Sequence, residues 1–583
     1  MENTEAINTL EPPHKKRLLE RLSFSHPYPA VIPNLNDWPV NKLAKDRAKF
    51  IDEIVAFTTQ RLTEQHPNLS DLLAETIYAE RNRLRETAWK VDPPDEPSFW
   101  SRLRNKYLGT ENQEKTTAEQ NQKELIERIV RRYAEEIVGT FNPTVFVFTR
   151  RTLNFFFRRL LNAAIERWWR IFGSRYQLYQ SIQVFGDVEH IRELSKKGTL
   201  VVLPTHFSNL DSILIGFAMD SIMGLPQFSF GAGLNLYNSG FFAFFMNRLG
   251  AYRVDRRKKN AIYLETLKAM SNLSIQRGTN SLFFPGGTRM RSGAIESKLK
   301  MGLLGTVIEA QRANFQKENN TKIFIVPLTV SYHFVLEAPS LIHQHLQITG
   351  KEHFLKGKYH GNNLREWLVF VWQFFGKKSE IVLSFDKPMD IFGNQVDGNG
   401  TSIDVRGKEI DIKDYFSSPD GINTDLQREA EYTKLLADKV ADRFHKANIV
   451  LSSHVVAFTA FNMLKENNEG MDIYTLMRLS PEDYIFPLEE FTNAVEAVQS
   501  ALFELAEKGR LILSNDILLS PKELVKSGIG HLGIFHVIKP LLFNKSGDIE
   551  SDEFSVLYYY HNRLDGFGLA KRVPWQKFKI KVK

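Results

Sequence analysis

The chain has 583 residues, 43% of them hydrophobic, so a substantial core spread over about two to four domains is expected. It has no cysteine, which excludes disulfides, thiolate zinc sites and a cysteine acyl-enzyme. A net charge of +8 suits an anionic lipid surface, a phosphate substrate or nucleic acid equally well.

Residues 1–45 carry proline and charge without periodicity and read as a loose leader, and Met1-Glu-Asn-Thr-Glu lacks a signal-peptide pattern. Residues 46–185 read as several helices, broken around Pro93-Pro94 and 110–117. Within them, 141–172 mixes Phe146, Phe148, Phe155, Phe156, Phe157, Trp168 and Trp169 with Arg150, Arg151, Arg158, Arg159, Arg167 and Arg170, against a single Glu166. Aromatics with snorkelling arginines fit an amphipathic helix lying on an anionic membrane; the alternative is a packed helix with charged edges. The stretch 367–375 is a second, shorter candidate. No apolar run reaches the roughly 18 residues a spanning helix needs, so the expected membrane contact is peripheral, from the cytoplasmic side.

The segment Val201-Val-Leu-Pro-Thr-His206-Phe-Ser-Asn-Leu-Asp211 carries the clearest chemistry. A buried strand, 199–204, runs into a histidine, and Asp211 follows where a helix should begin. A neutral imidazole takes a proton from a hydroxyl, and a neighbouring carboxylate orients it. The alternative is a capping aspartate beside a buried histidine. His66 and Asp71 share the spacing, but Pro67 follows and no apolar strand precedes, so they read as helix-end chemistry.

Three further blocks follow: Gly250-Ala-Tyr-Arg253-Val-Asp-Arg256, then Phe284-Pro-Gly286-Gly287-Thr288-Arg289-Met-Arg291, then Ile323-Phe-Ile-Val-Pro327. In this order the four blocks resemble those of the glycerophospholipid acyltransferase family, whose pattern is His-x4-Asp, Gly-x5-Arg, Phe-Pro-Glu-Gly-Thr-Arg and Val-Pro. The resemblance covers about positions 186–335, a quarter of the chain. It implies acyl transfer from a thioester to a glycerol-phosphate acceptor, with His206 as base and Asp211 as its orienter. It further implies acceptor or oxyanion binding by Arg256, Gly286, Gly287, Thr288, Arg289 and Arg291, with Arg253, Lys298 and Lys300 as outer members of the anion site. For each cation the alternative is a solvated surface charge. One departure stands out: Gly286 replaces the family's usual glutamate, which is linked to acceptor binding.

The expected fold is an α/β acyltransferase core over 186–390 with a mostly parallel or mixed sheet flanked by helices, strands falling near 199–204, 281–285, 323–330 and 380–385. Residues 391–425, rich in Gly, Asp, Asn and Ser, read as a linker, and 426–583 as a helical C-terminal region. No internal repeat is expected, no metal site is assigned, and no cofactor is needed beyond acyl-CoA or acyl-carrier protein as co-substrate. The long helical flanks look like those of the larger glycerol-3-phosphate and dihydroxyacetone-phosphate acyltransferases. Glycerol-3-phosphate is therefore the first expected acceptor and 1-acylglycerol-3-phosphate the second. A catalytically inactive lipid-binding protein of the same fold is the reading outside enzymology. No basic nucleic-acid motif is present.

Overall fold

Between 182 and 385, short apolar runs alternate with amphipathic stretches, the pattern of a sheet covered by helices on both faces. The computed structural model describes residues 28–87, 89, 91–110, 114–161, 182–234, 237, 240–350, 381–419, 421–533 and 536–582, the side chains of 154–161 and 240–242 excepted. The expectations for 162–172 and 367–375 lie outside the described residues.

Seven strands form the central sheet: β1 (Ile182–Phe185), β2 (Gly198–Pro204), β3 (Ser229–Gly233), β4 (Ala251–Val254), β5 (Ser281–Leu282), β6 (Lys322–Tyr332) and β7 (Ile381–Phe385). Their order is β1-β7-β6-β2-β5-β3-β4, and every pairing is parallel except β6 with β7. Leu200, Val201, Val202 and Leu203 are all buried. A continuous apolar run, without alternation, is what a parallel strand covered on both faces requires. In the register, Leu203 lies opposite Pro327 and Pro204 opposite Leu328, so the Val-Pro block forms the strand beside the one that delivers His206.

On the N-terminal side, α1 (Arg47–Gln65), α2 (Leu69–Glu86), α3 (Glu96–Leu108) and α4 (Lys115–Ile137) pack against α5 (Ala261–Gln276), which follows β4. Phe50, Ile54 and Leu62 line the buried stripe of α1 at helical spacing. His66 caps the end of α1, and Asn68 caps α2 by accepting from the N–H groups of Ser70 and Asp71. The His66–Asp71 pair is therefore helix-end structure.

Three expectations are corrected. Residues 28–45 are no loose leader. Tyr28 and Val31 donate backbone N–H groups to Ile222 and Gly224, and Trp38 is buried against Phe141 and Phe146. The same contact removes Phe146 from the proposed membrane face, whereas Phe148 remains 59% exposed. Residues 391–425 are no linker, and the chain does contain a repeat. Asp390-Ile-Phe-Gly393-Asn-Gln-Val396, Asp397-Gly-Asn-Gly400-Thr-Ser-Ile403 and Asp404-Val-Arg-Gly407-Lys-Glu-Ile410 share a seven-residue period. In each unit the Asp Oδ1 accepts the N–H groups two and four residues on, at 2.7–2.9 Å. The glycine takes a left-handed φ of 80–82°, and the unit closes on a short antiparallel strand. Loop-like composition here encodes a meander of Asx turns. It buries Phe392, Val396, Ile412 and Phe416 against the core.

The C-terminal region comprises α6 (Leu426–Lys446), α7 (Ser452–Glu466), α8 (Leu488–Glu507), α9 (Pro521–His531) and α10 (Phe554–Asp565). Between α7 and α8 the helical region is broken by a short helix and strand, 473–485. Val455 to Leu464 of α7 are all buried, so this helix is enclosed by the others and its sequence shows no polar face.

Candidate active site

Thr205 extends the β2–β6 ladder by one residue. Its N–H donates to Leu328 O (2.9 Å), and its hydroxyl accepts from Val330 N–H (3.1 Å). His206 thus emerges at the carboxyl end of a central strand, where open α/β sheets place their ligands. Its backbone is fixed on both sides: the N–H donates to Glu296 Oε1 (2.9 Å), and the carbonyl accepts from Met290 N–H (2.7 Å). The ring stacks on Phe284, with centroids 4.0 Å apart.

His206 Nδ1 lies 2.8 Å from Asp211 Oδ2. A carboxylate only accepts, so the imidazole proton sits on Nδ1 and the Nε2 lone pair is free. Asp211 opens a short helix, Asp211–Phe217, and is completely buried. Its Oδ2 also accepts the N–H groups of Phe207 (2.7 Å) and Ser208 (3.0 Å), and its Oδ1 accepts the hydroxyl of Tyr332 (2.5 Å). These donors satisfy a buried charge that would otherwise be costly. Burial, reinforced by the Asp211 charge, pushes the Tyr332 hydroxyl well above the ordinary tyrosine range, so it remains a donor.

The glycine-rich turn brings cations to the same end of the sheet. Arg289 Nη1 pairs with Glu337 Oε1 (3.1 Å), and Glu337 also accepts from Ser208 Oγ (3.0 Å) and Asn209 N–H (2.9 Å). One carboxylate therefore ties the arginine loop to the histidine loop. Arg256 and Arg291 have no ion pair among the described residues. The Arg256 guanidinium is shifted below its ordinary range, first by lost hydration and then by the charges of Arg289 and Arg291. Arg289 and Arg291 thus act on Arg256 as like charges, an excess of positive charge that a bound dianion would relieve.

The loop after β4 explains why Arg256 is available. Its neighbours turn inward. Arg257 binds Asp255 (2.7 Å) and Asp92 (2.5 Å), and Lys258 binds Glu136 (2.5 Å), within an ionic cluster shared with the N-terminal helices. Arg256 is left on the outer side. Arg253 is not brought to the site: its guanidinium donates to Asn247 Oδ1 (2.8 and 3.2 Å) and covers the Tyr237 ring. Lys300 lies over the turn, where a Cβ on Gly287 would meet its Nζ at 2.9 Å. Lys298 is exposed, and Thr288 is half-buried on the turn. The Gly287 N–H donates to Phe284 O (2.9 Å).

The sequence reading missed Tyr332, Glu337, Glu296 and Arg563. The buried Arg563 guanidinium lies 4.4 Å over the Phe207 ring and donates to Val330 O (2.7 Å), Ser331 Oγ (2.9 Å) and Asn448 Oδ1 (2.9 Å). Burial pushes it down to about 10. On the same helix, Asn562 Nδ2 donates to Ser292 O (2.9 Å). Gly293 packs so closely there that a Cβ would stand 2.1 Å from Tyr559 O. Glu296, Tyr332 and Glu337 lie just past the third and fourth motif blocks and Arg563 far beyond them, and none carries a motif signal of its own. The same holds for His333, Asp516 and His531, whose ligand-type atoms converge within 4.8 Å although the sequence shows no such cluster.

Residues 186–331 match the family model described as Acyltransferase. The glycerol-3-phosphate acyltransferase of Aeromonas hydrophila is 27% identical over 30% of this chain and 21% of its own length. That of Ectopseudomonas mendocina is 25% identical over 35% of this chain and 22% of its own. That of Xylella fastidiosa is 23% identical over 36% and 21%. The aligned region thus spans about a fifth of the length of these relatives. A crystal structure of the 1-acyl-sn-glycerophosphate acyltransferase of Thermotoga maritima aligns over 64% of this chain and 94% of its own, at 11% identity and a TM-score of 0.23, too low to bear on function.

Proposed function

We propose that this chain, whose residues 186–331 match the Acyltransferase family model, is an O-acyltransferase that transfers a fatty acyl group from a thioester to a hydroxyl of glycerol-3-phosphate in lipid synthesis. His206 Nε2 removes the proton of the acceptor hydroxyl while Asp211 supports the imidazolium that forms. The alkoxide oxygen bonds to the thioester carbonyl carbon. The tetrahedral intermediate then collapses with loss of the thiolate, which takes the proton back from the imidazolium. The N–H groups of Gly286 and Thr288 are the candidate oxyanion donors. The donor is acyl-CoA or acyl-carrier protein, since both present the same thioester.

The observation that carries the acceptor assignment is the tie of Arg289 through Glu337 to the His206 loop, with the charges of Arg289 and Arg291 acting on Arg256. Guanidinium groups match a phosphate bidentately. 1-Acylglycerol-3-phosphate carries the same phosphate and is the second reading. No helix among the described residues is long and apolar enough to cross a membrane. Peripheral binding at the cytoplasmic face, through the outer part of 141–172, is the corresponding proposal.

The test is purified protein with a labelled acyl-CoA or acyl-carrier protein and a panel of acceptors: glycerol-3-phosphate, dihydroxyacetone phosphate, 1-acylglycerol-3-phosphate and glycerol. Turnover of glycerol-3-phosphate but not of glycerol is expected. Equal turnover of glycerol would remove the phosphate assignment, and no turnover of any acceptor would remove the enzymatic reading.

A further inference from the structure

We propose that Glu296 is an acceptor-binding residue whose carboxyl holds the hydroxyl of the glycerol phosphate that is not being acylated, taking over from outside the motif the space beside Gly286. This rests on the acyltransferase reading above.

Three geometric observations carry it. A Cβ built on Gly286 would lie 3.1 Å from Glu296 Cγ and 3.2 Å from its Oε1. The Glu296 carboxyl therefore occupies the volume that a side chain at 286 would claim, and Gly286 is the residue that lets it in. Second, Glu296 Oε1 accepts the backbone N–H of His206, which fixes the carboxyl beside the base. Third, Glu296 is 2% exposed and its Oε2 has no hydrogen-bond partner. A buried, unsatisfied oxygen of this kind is costly, and a ligand that completes it removes that cost.

The protonation state fits the task. Burial raises the Glu296 carboxyl to about 8. The charged groups facing it are Arg563 on α10, which opposes the shift, and Asp211 on the histidine loop, which adds to it. Near neutral pH the group is therefore the neutral acid. One oxygen accepts from His206 N–H and the other donates an O–H to an acceptor oxygen. Above about pH 8 the carboxyl loses that proton, and with it the donor.

The experiment compares acceptor KM for glycerol-3-phosphate and for 3-hydroxypropyl phosphate, which lacks the second hydroxyl, in the parent, E296A, E296Q and G286A, with an acyl-CoA as donor. The parent should prefer glycerol-3-phosphate at least tenfold. E296A should raise the KM for glycerol-3-phosphate to the level of the analogue and leave the analogue's own KM and the donor KM within about twofold. G286A, which pushes the carboxyl aside without removing it, should behave in the same direction. E296Q reproduces the neutral acid, one acceptor and one donor, and should stay within about threefold of the parent at pH 7. In the parent, acceptor KM should rise above about pH 8, and in E296Q that rise should be absent. Equal KM changes for both acceptors, an unchanged KM in E296A, or parallel alkaline rises in parent and E296Q would each overturn the proposal. If E296A does not fold, the pH comparison of parent and E296Q decides. A parent that acylates no glycerol phosphate overturns the functional reading and this one together. A parent that is active and indifferent to Glu296 overturns only this one.

Discussion

Arg563, in the last long helix of the chain, lies over the ring of Phe207, the residue that follows His206. Its three hydrogen bonds reach Val330 and Ser331 on β6 and Asn448 at the end of α6, so one side chain joins the C-terminal region to the back of the dyad. Arg563→Met keeps volume but strands these buried acceptors. Each unsatisfied group costs about 1–3 kcal/mol, so a fall in stability of roughly 3 kcal/mol or more is expected, read as a lower urea midpoint. Gly293→Ala should act similarly, because its φ of +83° and the Tyr559 carbonyl leave no room for a Cβ. Unchanged unfolding curves for both variants would show that the C-terminal helix is not a support of the site.

The dyad predicts a graded series. His206→Ala should lose about 10²–10⁴ in kcat with an unchanged melting curve. Asp211→Asn should be severely impaired, since it removes the carboxylate that fixes the tautomer. Tyr332→Phe deletes one donor to Asp211 and leaves the imidazole in place, so a loss of about tenfold in kcat with little change in either KM is expected. His66→Ala, at the end of α1, should be silent. Normal turnover by His206→Ala would end the mechanism.

Arg289 has two tasks in this structure, the ion pair with Glu337 and a place in the arginine cluster. Arg289→Lys keeps the charge and loses the fork, so acceptor KM should rise while donor KM moves much less. Arg256→Gln removes a cation with no other partner among the described residues. It should raise the KM of phosphate-bearing acceptors without lowering thermal stability. Kinetics in which the donor KM alone responds would assign the cluster to the thioester carrier.

Membrane binding can be separated from packing by choosing among the arginines of 141–172. Arg150 lies 3.4 Å from Asp220, whose carboxyl burial raises to about 6, so Arg150 is left intact. Replacing Arg151, Arg158 and Arg159 with Gln should weaken sedimentation with anionic vesicles, each arginine contributing about 1 kcal/mol that salt screens. Acylation of water-soluble acceptors should persist. Vesicle binding equal to the parent's, or insensitive to salt, would assign the segment to internal packing.

By itself the sequence determined the parts whose signal is local. The apolar run 199–204 could only be a buried strand, and an imidazole five residues before an aspartate at a helix start could reach it across one turn. The pairing of the blocks was not legible there: that Pro327 and the strand before His206 lie in one register is a fact of the assembled sheet. The heptad of Asp and Gly in 390–410 was written in the chain, but its composition imitates a loop, and turn chemistry is distinguished from disorder only by where the N–H groups go. What the tertiary structure alone decided is which groups share the dielectric environment and volume of the dyad. Tyr332, Glu337 and Arg563 act by burial and direction, and burial is a property of the assembled core. Arg253 and Arg256 look alike in the chain. Asn247 takes the first, and the inward pairing of Arg257 and Lys258 frees the second. Gly286 reads as a missing carboxylate, yet its lack of a side chain is what admits that of Glu296, because two groups cannot fill one space.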